Sequence, residues 1–440
     1  MIVSSNLHSQ LSYALLRIQK RGSEGLQHEG CFSIIHQKPY ELKTKQEFVI
    51  LDPAARLSAL LIIICLLVVS CSTHAEEDNA SLILLSQFEE GKLYKIDSLL
   101  IVQLSGSYRD MGRQEGYLLR NQIHEFYNES VINYFILENN LSYKQLVAES
   151  MDEFSLYPKR FEDIISGIAE TSGMSLENLT ILSRVPYIAP NCSAIFAWGN
   201  YSLDGSMVVG RNIDFYSVAN DFLNYTIIVV YNPTDGSHSL ATVCRPAQLQ
   251  IHTGMNDQGL FLEANDGSLS GGNIYYPDRS AYIGSFLFDC SNLRQLDAAV
   301  FSSRINWATI LNVADENTSV SYEWATFDLK RRMPDRDGLL VSTNHFVNPE
   351  WGFALPRGDP NHTALRYSNL LSLGEKYKGR FDPKTMMKVL DTALESGGAS
   401  GPYTRLQVVA VPSEQEMWIK IPKYQNWTRV DLKGLFQFPN

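Results

Sequence analysis

Residues 191–215, NCSAIFAWGNYSLDGSMVVGRNIDF, contain two extended runs of mainly apolar residues, SAIFAWGNYS and MVVGRNIDF. Between them lie residues 203–206, LDGS, a turn sequence of the kind that closes β-hairpins. The residues before this stretch show the three- and four-residue apolar spacing of helices. The chain is therefore predicted to change from helix to strand at 191–192, which places Cys192 at the start of the first strand of a hairpin.

Similar changes between strand and helix patterns recur along the chain. Residues 80–190 are predicted to be mainly helical, with Gly112 and Gly116 one turn apart so that a second backbone can approach that helix. Beyond residue 215 the patterns predict two hairpins, at 226–244 and 254–266, and then a helical region at 285–305. Three strands follow within 307–346, two helices within 364–395, and a closing hairpin at 405–422. This order favours an α+β fold, a four-layer αββα sandwich in which two antiparallel sheets stack face to face between helices.

An apolar segment, Leu57–Val69, follows Arg56 and has the length of a signal-peptide core rather than that of a membrane span. We therefore expect export, to the periplasm, to the cell envelope as a lipoprotein, or out of the cell. Residues 68–71, VVSC, resemble a bacterial lipobox in which Cys71 is the lipidated residue; cleavage after Ala75 and an uncleaved anchor helix are the alternatives. The long segment before this core suggests that translation starts later than Met1.

The predicted domain organisation follows from these boundaries. Residues 1–75 form the leader, 76–191 a helical pro-segment or N-terminal chain, and 192–440 the catalytic αββα chain. The membrane is expected to be a partner only through the leader or a lipid anchor.

The composition narrows the classes of function. The chain has 440 residues, 45% of them hydrophobic, which is enough for a large core, and a formal net charge of −11. A negative surface repels nucleic acid and anionic lipid, so neither is an expected partner. The six cysteines include no C-x-x-C pair, which argues against a zinc site or a dithiol redox motif. Three cysteines lie after the leader, and Cys244 and Cys290 are expected to be buried apolar side chains.

The hairpin carries a candidate nucleophile and two charged side chains. Cys192 opens the first strand, and Arg211 and Asp214 return beside it on the second. A guanidinium lowers the pKa of a neighbouring thiol, and a base must remove the thiol proton. If the bond after Asn191 is cut, the new α-amine of Cys192 has an ordinary pKa of roughly 7.7 to 8 and can be that base. Arg211 and Asp214 are three residues apart, so a bend at Gly210 or Asn212 would be needed for both to face the cysteine.

Cys192 followed by residues 210–214, GRNID, resembles the start of the catalytic chain in the N-terminal nucleophile hydrolases related to penicillin V acylase, bile salt hydrolase and acyl-coenzyme A:6-aminopenicillanate acyltransferase. The long segment before Cys192, with GSYRDMGRQEG and ISGIAETSG, is similar to the acyltransferase branch, which cuts itself into two chains. The resemblance extends from about residue 100 to the C-terminus. It implies a self-cleaving amide hydrolase or acyltransferase that acts on a small acylated amide without a metal or organic cofactor.

The resemblance also implies roles for individual residues. Cys192 matches the nucleophile, Arg211 the arginine beside the thiol, and Asp214 the carboxylate that binds the amine. Asn344 matches the asparagine that orients the nucleophile and holds the tetrahedral intermediate. Arg366 matches a second arginine of the family. The second donor to the oxyanion matches Asn265 or, one position later, Asp266.

Two other functions fit parts of the sequence. Cys192 and His345 are separated by about the distance in sequence found in papain-like peptidases, but the papain cysteine opens a helix, whereas Cys192 opens a strand. An exported binding lipoprotein on an inactive hydrolase scaffold is the alternative outside enzymes, because a fold alone does not establish activity.

Overall fold

The computed structural model describes residues 81–183, 191–214, 222, 224–267, 276, 279–352 and 359–436. The chain divides into two compact units, Met1–Asn79 and Ala80–Asn440, and all the described residues belong to the second. The predicted leader with its apolar segment, Cys71 and Ala75 lies outside the described residues. Within the described part of the chain, no helix has the length and apolar character needed to span a bilayer.

Two sheets, of ten and six strands, form the centre of this unit. The strands are Ile83–Phe88 (β1), Gly91–Ile96 (β2), Leu99–Gly106 (β3), Asn191–Ala197 (β4), Val208–Asp214 (β5), Ile227–Pro233 (β6), Leu240–Cys244 (β7), Thr253–Asn256 (β8), Phe261–Asp266 (β9), Thr309–Ala314 (β10), Ser319–Trp324 (β11), Leu329–Arg332 (β12), Leu339–Ser342 (β13), Thr404–Val411 (β14), Glu416–Ile421 (β15) and Gln425–Asp431 (β16). The larger sheet has the order β1-β2-β3-β6-β7-β8-β9-β10-β11-β12, and the smaller has the order β13-β4-β5-β14-β15-β16.

Helices lie outside both sheets, apart from the short helix Lys433–Phe436, whose Leu435 and Phe436 belong to the core between the sheets. They are Tyr108–Leu118 (α1), Arg120–Tyr127 (α2), Tyr143–Phe154 (α3), Lys159–Ser172 (α4), Leu176–Ser183 (α5), Arg279–Asp289 (α6), Leu293–Phe301 (α7), Thr363–Lys376 (α8), Pro383–Asp391 (α9) and Lys433–Phe436 (α10), with a π-helix at Asn128–Glu138. One apolar core joins α1–α7 to the larger sheet, a second lies between the two sheets, and a third joins α8 and α9 to the smaller sheet. The α+β, four-layer αββα architecture predicted from the sequence is therefore present.

The β4–β5 hairpin lies inside the smaller sheet, between β13 and β14, and every residue of both strands is buried. Strands covered on both faces have near-continuous apolar sequences, as seen in residues 193–198 and 207–210. The predicted close approach of a second backbone at Gly112 is confirmed. A β-carbon there would lie 2.0 Å from the backbone oxygen of Ile164 in α4. Helices α1 and α4 can pack this closely only because α1 has glycine at the crossing.

The prediction that residues 80–190 are mainly helical was wrong at their start. Residues 83–106 form strands β1, β2 and β3, and helices begin only at Tyr108. Two tight turns separate these strands, at Glu89 and Asp97, both with positive φ. The turn sequences, EEGK at the first turn and DS at the second, lie between apolar runs, as they do in hairpins. Strand β16 was also missed, and one pair in the sheets, β3 with β6, is parallel rather than antiparallel.

The segment predicted as a pro-segment is part of the sandwich. Strand β3 pairs with β6 along its length, from Leu100 opposite Ile227 to Gly106 opposite Pro233. The chains on either side of residue 191 therefore share one sheet and one compact unit. If the chain is cut at 191–192, the two fragments are expected to stay together, since seven residue pairs would still join them in this one strand pair alone.

Candidate active site

Cys192 and Arg211 lie on the face of the β4–β5 hairpin that is turned toward the larger sheet. Cys192 pairs across the strands with Ile213, and Arg211 pairs with Ala194, so both side chains point into the space between the sheets. The Nη2 of Arg211 lies 3.4 Å from the Sγ of Cys192 and donates a hydrogen bond to it. The predicted pairing of thiol and guanidinium is therefore seen in the geometry.

Arg211 is held in place by the larger sheet. Its Nη2 also donates to the backbone oxygen of Ala264 at 2.6 Å, and its Nη1 donates to the backbone oxygen of His252 and to Oγ1 of Thr253. Its Nε lies 3.1 Å from Oε2 of Glu263, and both side chains are almost completely buried. These contacts leave the guanidinium little freedom, so it is fixed beside the thiol.

Burial and charge act in opposite directions on the thiol of Cys192. The side chain is fully buried, and burial raises its pKa to about 11; Arg211 lowers it, and the nearby Glu263 raises it. Cys244 and Cys290 are also free and buried, and burial raises the pKa of each. For Cys244 the nearby charge of Glu115 raises the pKa further. Cys192 has a guanidinium bonded to its sulfur, which distinguishes it chemically from the other two.

Glu263 belongs to the site but was not selected from the sequence. Its carboxyl contacts Arg211 and accepts a hydrogen bond from Nδ2 of Asn312 on the neighbouring strand. Burial raises the pKa of Glu263 to about 7, while Arg211 and Asn312 act in the opposite direction. A charged residue inside the apolar strand FLEAND was the only sequence signal for it.

Asp214 lies on the other face of the hairpin. It pairs across the strands with Asn191, and its Oδ1 accepts a hydrogen bond of 2.6 Å from Oγ1 of Thr404 in β14. The β4–β5 register is regular from 191 to 214, so the bend expected at Gly210 or Asn212 does not occur. Instead the last residue pair of the hairpin brings the carboxyl to the backbone just before Cys192. Burial raises the pKa of Asp214 to about 6, against the opposing effects of Arg366, Thr404 and Arg405.

Arg366, in α8, connects the parts of this second face. Its Nη1 donates to the backbone oxygen of Cys192 at 2.7 Å and lies 3.5 Å from the backbone oxygen of Asn191. The same nitrogen is 3.9 Å from Oδ2 of Asp214, and Nη2 donates to Oδ1 of Asn344 at 3.1 Å. A single buried guanidinium thus touches both carbonyl groups that flank Cys192. The structure brings Arg366 together with Cys192, Asp214 and Asn344.

Asn344 follows β13 and is fixed at three points. Its backbone N–H donates to Oγ1 of Thr363, its Nδ2 donates to the backbone oxygen of Asp266 at 3.0 Å, and its Oδ1 accepts from Arg366. The side chain of Arg366 therefore links this amide to the carbonyl oxygens of Asn191 and Cys192. The bond to Asp266 uses one of the two N–H donors that an amide nitrogen carries.

The structure separates the two candidates for the second oxyanion donor. Asn265 is on the side of β9 that faces the smaller sheet, like Glu263, and its Nδ2 donates to Oγ of Ser342 at 3.2 Å. Asp266 points to the other side, where its carboxyl pairs with Nη1 of Arg279 at 3.0 Å and accepts a hydrogen bond from Trp307. Asn265 is therefore the candidate whose side chain faces the site.

His345 is engaged away from the thiol. Its Nδ1 lies within hydrogen-bond distance of the hydroxyls of Thr343 and Thr363, and its ring packs against Tyr367. Burial lowers its pKa to about 4, so the ring is neutral at neutral pH. These contacts do not correspond to a papain-like pair with Cys192. The described ranges also contain no group of three His, Cys, Asp or Glu side chains placed to hold a metal ion.

No protein-family model matches the sequence, and neither does any curated protein. Solved structures resemble parts of it. An N-acylethanolamine-hydrolyzing acid amidase ortholog from Caenorhabditis elegans shares 18% identity over 55% of this chain and 100% of its own, with a TM-score of 0.40. A mutant conjugated bile acid hydrolase from Clostridium perfringens shares 13% over 56% and 94%, with a TM-score of 0.42. A penicillin V acylase from Agrobacterium tumefaciens shares 12% over 55% and 86%, with a TM-score of 0.41. At TM-scores of this size, the reaction must be judged from the residues of this chain.

Proposed function

We propose that the chain is a self-cleaving cysteine N-terminal nucleophile enzyme that hydrolyses, or transfers the acyl group of, a small linear amide other than a peptide. The proposal depends above all on one observation, the 3.4 Å contact between Sγ of Cys192 and Nη2 of Arg211 at the start of a buried strand. Asp214 and Arg366 lie next to the peptide bond that precedes this cysteine. Together they provide a nucleophile and groups that could act on the bond before it.

Burial of Cys192 favours cleavage as the activating step. Its side chain is 0% exposed in the uncut chain, so a substrate cannot reach the sulfur. In the proposed maturation, Sγ attacks the carbonyl carbon of Asn191, the C–N bond breaks, and the thiol proton passes to the departing nitrogen. Water then hydrolyses the thioester, which leaves the carboxylate of Asn191 and the free α-amine and thiol of Cys192.

The backbone at Asn191–Cys192 shows no strain that could drive the cut. Asn191 is a regular strand residue paired with Asp214, and its φ is not in the left-handed region. Its side-chain Nδ2, however, is buried without a hydrogen-bond partner among the described residues. Such a group costs about 1–3 kcal/mol, which cleavage would relieve once the new terminus can move. Nη1 of Arg366, 3.5 Å from the oxygen of Asn191, is placed to stabilise negative charge on that carbonyl.

The mature enzyme would use the new amine as its base. An unperturbed α-amine has a pKa of roughly 7.7 to 8, so at neutral pH a sizeable fraction is neutral and able to accept the thiol proton. Asp214 would hold the amine, and Arg211 would stabilise the thiolate. Attack on the substrate amide gives an acyl-enzyme on Cys192, with Asn344 or Asn265 donating to the oxyanion, and water or an amine then accepts the acyl group. Export is also part of the proposal, supported by the apolar segment Leu57–Val69.

Intact mass of the purified protein tests this function. The wild-type protein should appear as two chains that meet at Cys192, whereas Cys192→Ala should remain one chain without amidase activity. Cys192→Ser should cut slowly and turn over poorly, because a hydroxyl is far less acidic than a thiol. Cys244→Ala is the matched control, since that cysteine is equally buried but has no bonded guanidinium, and it should be cut normally.

Two results would contradict the proposal. Normal cleavage of Cys192→Ala would show that another group cuts the chain. A wild-type protein that stays as one chain and does not react with iodoacetamide would instead indicate a binding protein on an inactive scaffold.

A further inference from the structure

Arg405 is a largely buried cation close to the candidate active site. Its side chain belongs to a residue only 6% exposed, and its Nε is fully buried. Among the described residues, its Nε has no hydrogen-bond partner, and no carboxylate oxygen lies within 4.0 Å of its nitrogens. Burial lowers the pKa of Arg405, but a guanidinium remains protonated at neutral pH. Buried charges in proteins are normally paired, yet the nearest carboxylate acting on Arg405, that of Asp214, does not form an ion pair with it.

The backbone around Arg405 places it beside the reacting groups. The β5–β14 register shifts between Thr404 and Leu406, so Arg405 is the extra residue of a β-bulge. Bulges are common next to active sites, where they redirect a side chain. Thr404 pairs with Asp214, and Asp214 pairs with Asn191 on the next strand. With neighbouring strands about 4.8 Å apart, the backbone of Arg405 is roughly 10 Å from the Asn191–Cys192 bond.

The charge of Asp214 attracts Arg405, but the two side chains are not in direct contact. Asp214 accepts its hydrogen bond from Thr404 and lies 3.9 Å from Arg366, and it is not within ion-pair distance of Arg405. Arg211 and Arg366, in contrast, are bound on several sides, to Glu263 and Ala264 and to the carbonyl of Cys192. Arg405 is therefore the guanidinium near the site that can accept a new anionic partner without breaking a contact.

We propose that Arg405 is a substrate-binding residue that receives an anionic group of the amide substrate, such as a carboxylate. This rests on the proposed function. A guanidinium binds a carboxylate through two parallel hydrogen bonds and so fixes its orientation as well as its position. The chain as a whole has a formal charge of −11 and repels anions, which makes a local cation necessary if the substrate is one. Arg405 then determines specificity between charged and neutral amides, not the chemical step.

Two pairs of model amides test this proposal. In the first, the octanoyl amide of para-aminobenzoate is compared with that of para-aminobenzamide, which is neutral and nearly identical in shape. In the second, the monoanilide of adipic acid is compared with the anilide of adipamic acid, so that the charge is on the acyl side. The quantity measured is the ratio of kcat/KM for the anionic compound to that for the neutral compound, in the wild-type protein and three variants.

Arg405→Gln should lower this ratio at least about tenfold, mainly through KM, for the pair whose charge reaches position 405. Arg405→Lys should keep part of the ratio, since it retains the charge without the planar fork. Arg336→Gln is the control, because that arginine is 60% exposed and pairs with Glu375 on the surface, and it should leave the ratio unchanged. Equal ratios in the wild-type protein and Arg405→Gln for both pairs would overturn the proposal.

Failure of the proposed function would be recognised separately. If the wild-type protein hydrolyses none of the four amides, their binding is measured by calorimetry in the wild-type protein and in Arg405→Gln. Tighter binding of an anionic amide that weakens at least about tenfold in the variant would support Arg405 in a protein that is not an amidase. Equal affinities, or no binding of the anionic compounds, would refute it.

Discussion

The two faces of the β4–β5 hairpin differ in what they contact at Cys192. On the face toward the larger sheet, the thiol lies against Arg211, which is locked by Glu263 and by backbone oxygens. On the opposite face, Asp214 and Arg366 surround backbone atoms of residues 191 and 192 rather than the sulfur. One face is thus suited to stabilise a thiolate, and the other to act on the peptide bond and on the amine that its cleavage would create.

Under the proposed function, this difference lets residues three apart on a straight strand serve one cysteine. Side chains alternate along a strand, so Arg211 and Asp214 cannot both reach the sulfur. An N-terminal residue, however, carries its base on the backbone at the end of the strand, and the other face of the hairpin can reach that position. If the proposed function is correct, substitutions on the two faces should have different consequences.

Removing the charge from the inner face should have the largest effect. Arg211→Met takes the stabilising guanidinium from the thiolate and should lower kcat/KM by about a thousandfold. It also leaves Glu263 buried without its cation, which should reduce the free energy of unfolding by about 3–5 kcal/mol. Amidase kinetics and urea denaturation of the variant measure the two effects.

A double variant separates the effect of Arg211→Met on kcat/KM from its effect on the free energy of unfolding. Arg211→Met combined with Glu263→Gln removes the unpaired carboxylate, so stability should largely recover while kcat/KM stays low. Recovery of activity together with stability would mean that Arg211 only holds the sheets together and does not act on the thiol.

Removing the charge from the outer face should change the pH dependence as well as the rate. Asp214→Asn keeps an oxygen for the hydrogen bond from Thr404 but no longer attracts the ammonium form of the Cys192 amine. The pKa of that amine should fall, so the acid limb of the kcat/KM profile should move to lower pH, with a loss of about a hundredfold at the optimum. Glu263→Gln provides the contrast, because it lies on the inner face. An unshifted acid limb in Asp214→Asn would indicate a purely structural carboxyl.

The sequence predicted most of the layered fold because its strongest signals are local. The turns at 203–206 and 233–236 and the mainly apolar strands around them need no distant partner to be recognised. Strands β1–β3 were missed because they lie just before strongly helical residues, and the turns at Glu89 and Asp97 contain no Asn-Gly or Asp-Gly pair. The parallel pairing of β3 with β6 joins segments more than a hundred residues apart, which no local pattern specifies.

The candidate site was predictable where it follows the hairpin. Cys192, Arg211 and Asp214 are within one supersecondary unit, so their relative positions follow from strand pairing. Glu263 and Thr404 come from other strands and reach the hairpin only after the sheets assemble, which the sequence alone could not indicate. The choice between Asn265 and Asp266 required the same information, because one position in β9 decides which side of the sheet a residue faces.

Substitution of Glu115, a buried carboxyl away from both faces of the β4–β5 hairpin, should have the smallest effect on the reaction. Glu115, in α1, is buried against the larger sheet, where it accepts hydrogen bonds from the backbone N–H of Ala247 and from Tyr231. Burial raises its pKa to about 7. Because this value is above that of an unfolded glutamate, Glu115 stabilises the fold most below about pH 4.5, and that stabilisation is lost as the pH rises through about 7.

Glu115→Gln should therefore leave catalysis intact and flatten the dependence of stability on pH. Its amide can still accept from Ala247 and donate to Tyr231, but it has no charge to bury at high pH. Between pH 4.5 and pH 8 the uncut Cys192→Ala protein should lose on the order of 2 kcal/mol more than the same protein with Glu115→Gln added, measured by urea denaturation. Asp289→Asn, at an exposed carboxylate paired with Arg160, is the control and should not alter the slope. If both proteins lose stability equally, Glu115 is already ionised at low pH, and desolvation alone does not set the protonation of carboxyls in this core, Asp214 and Glu263 included.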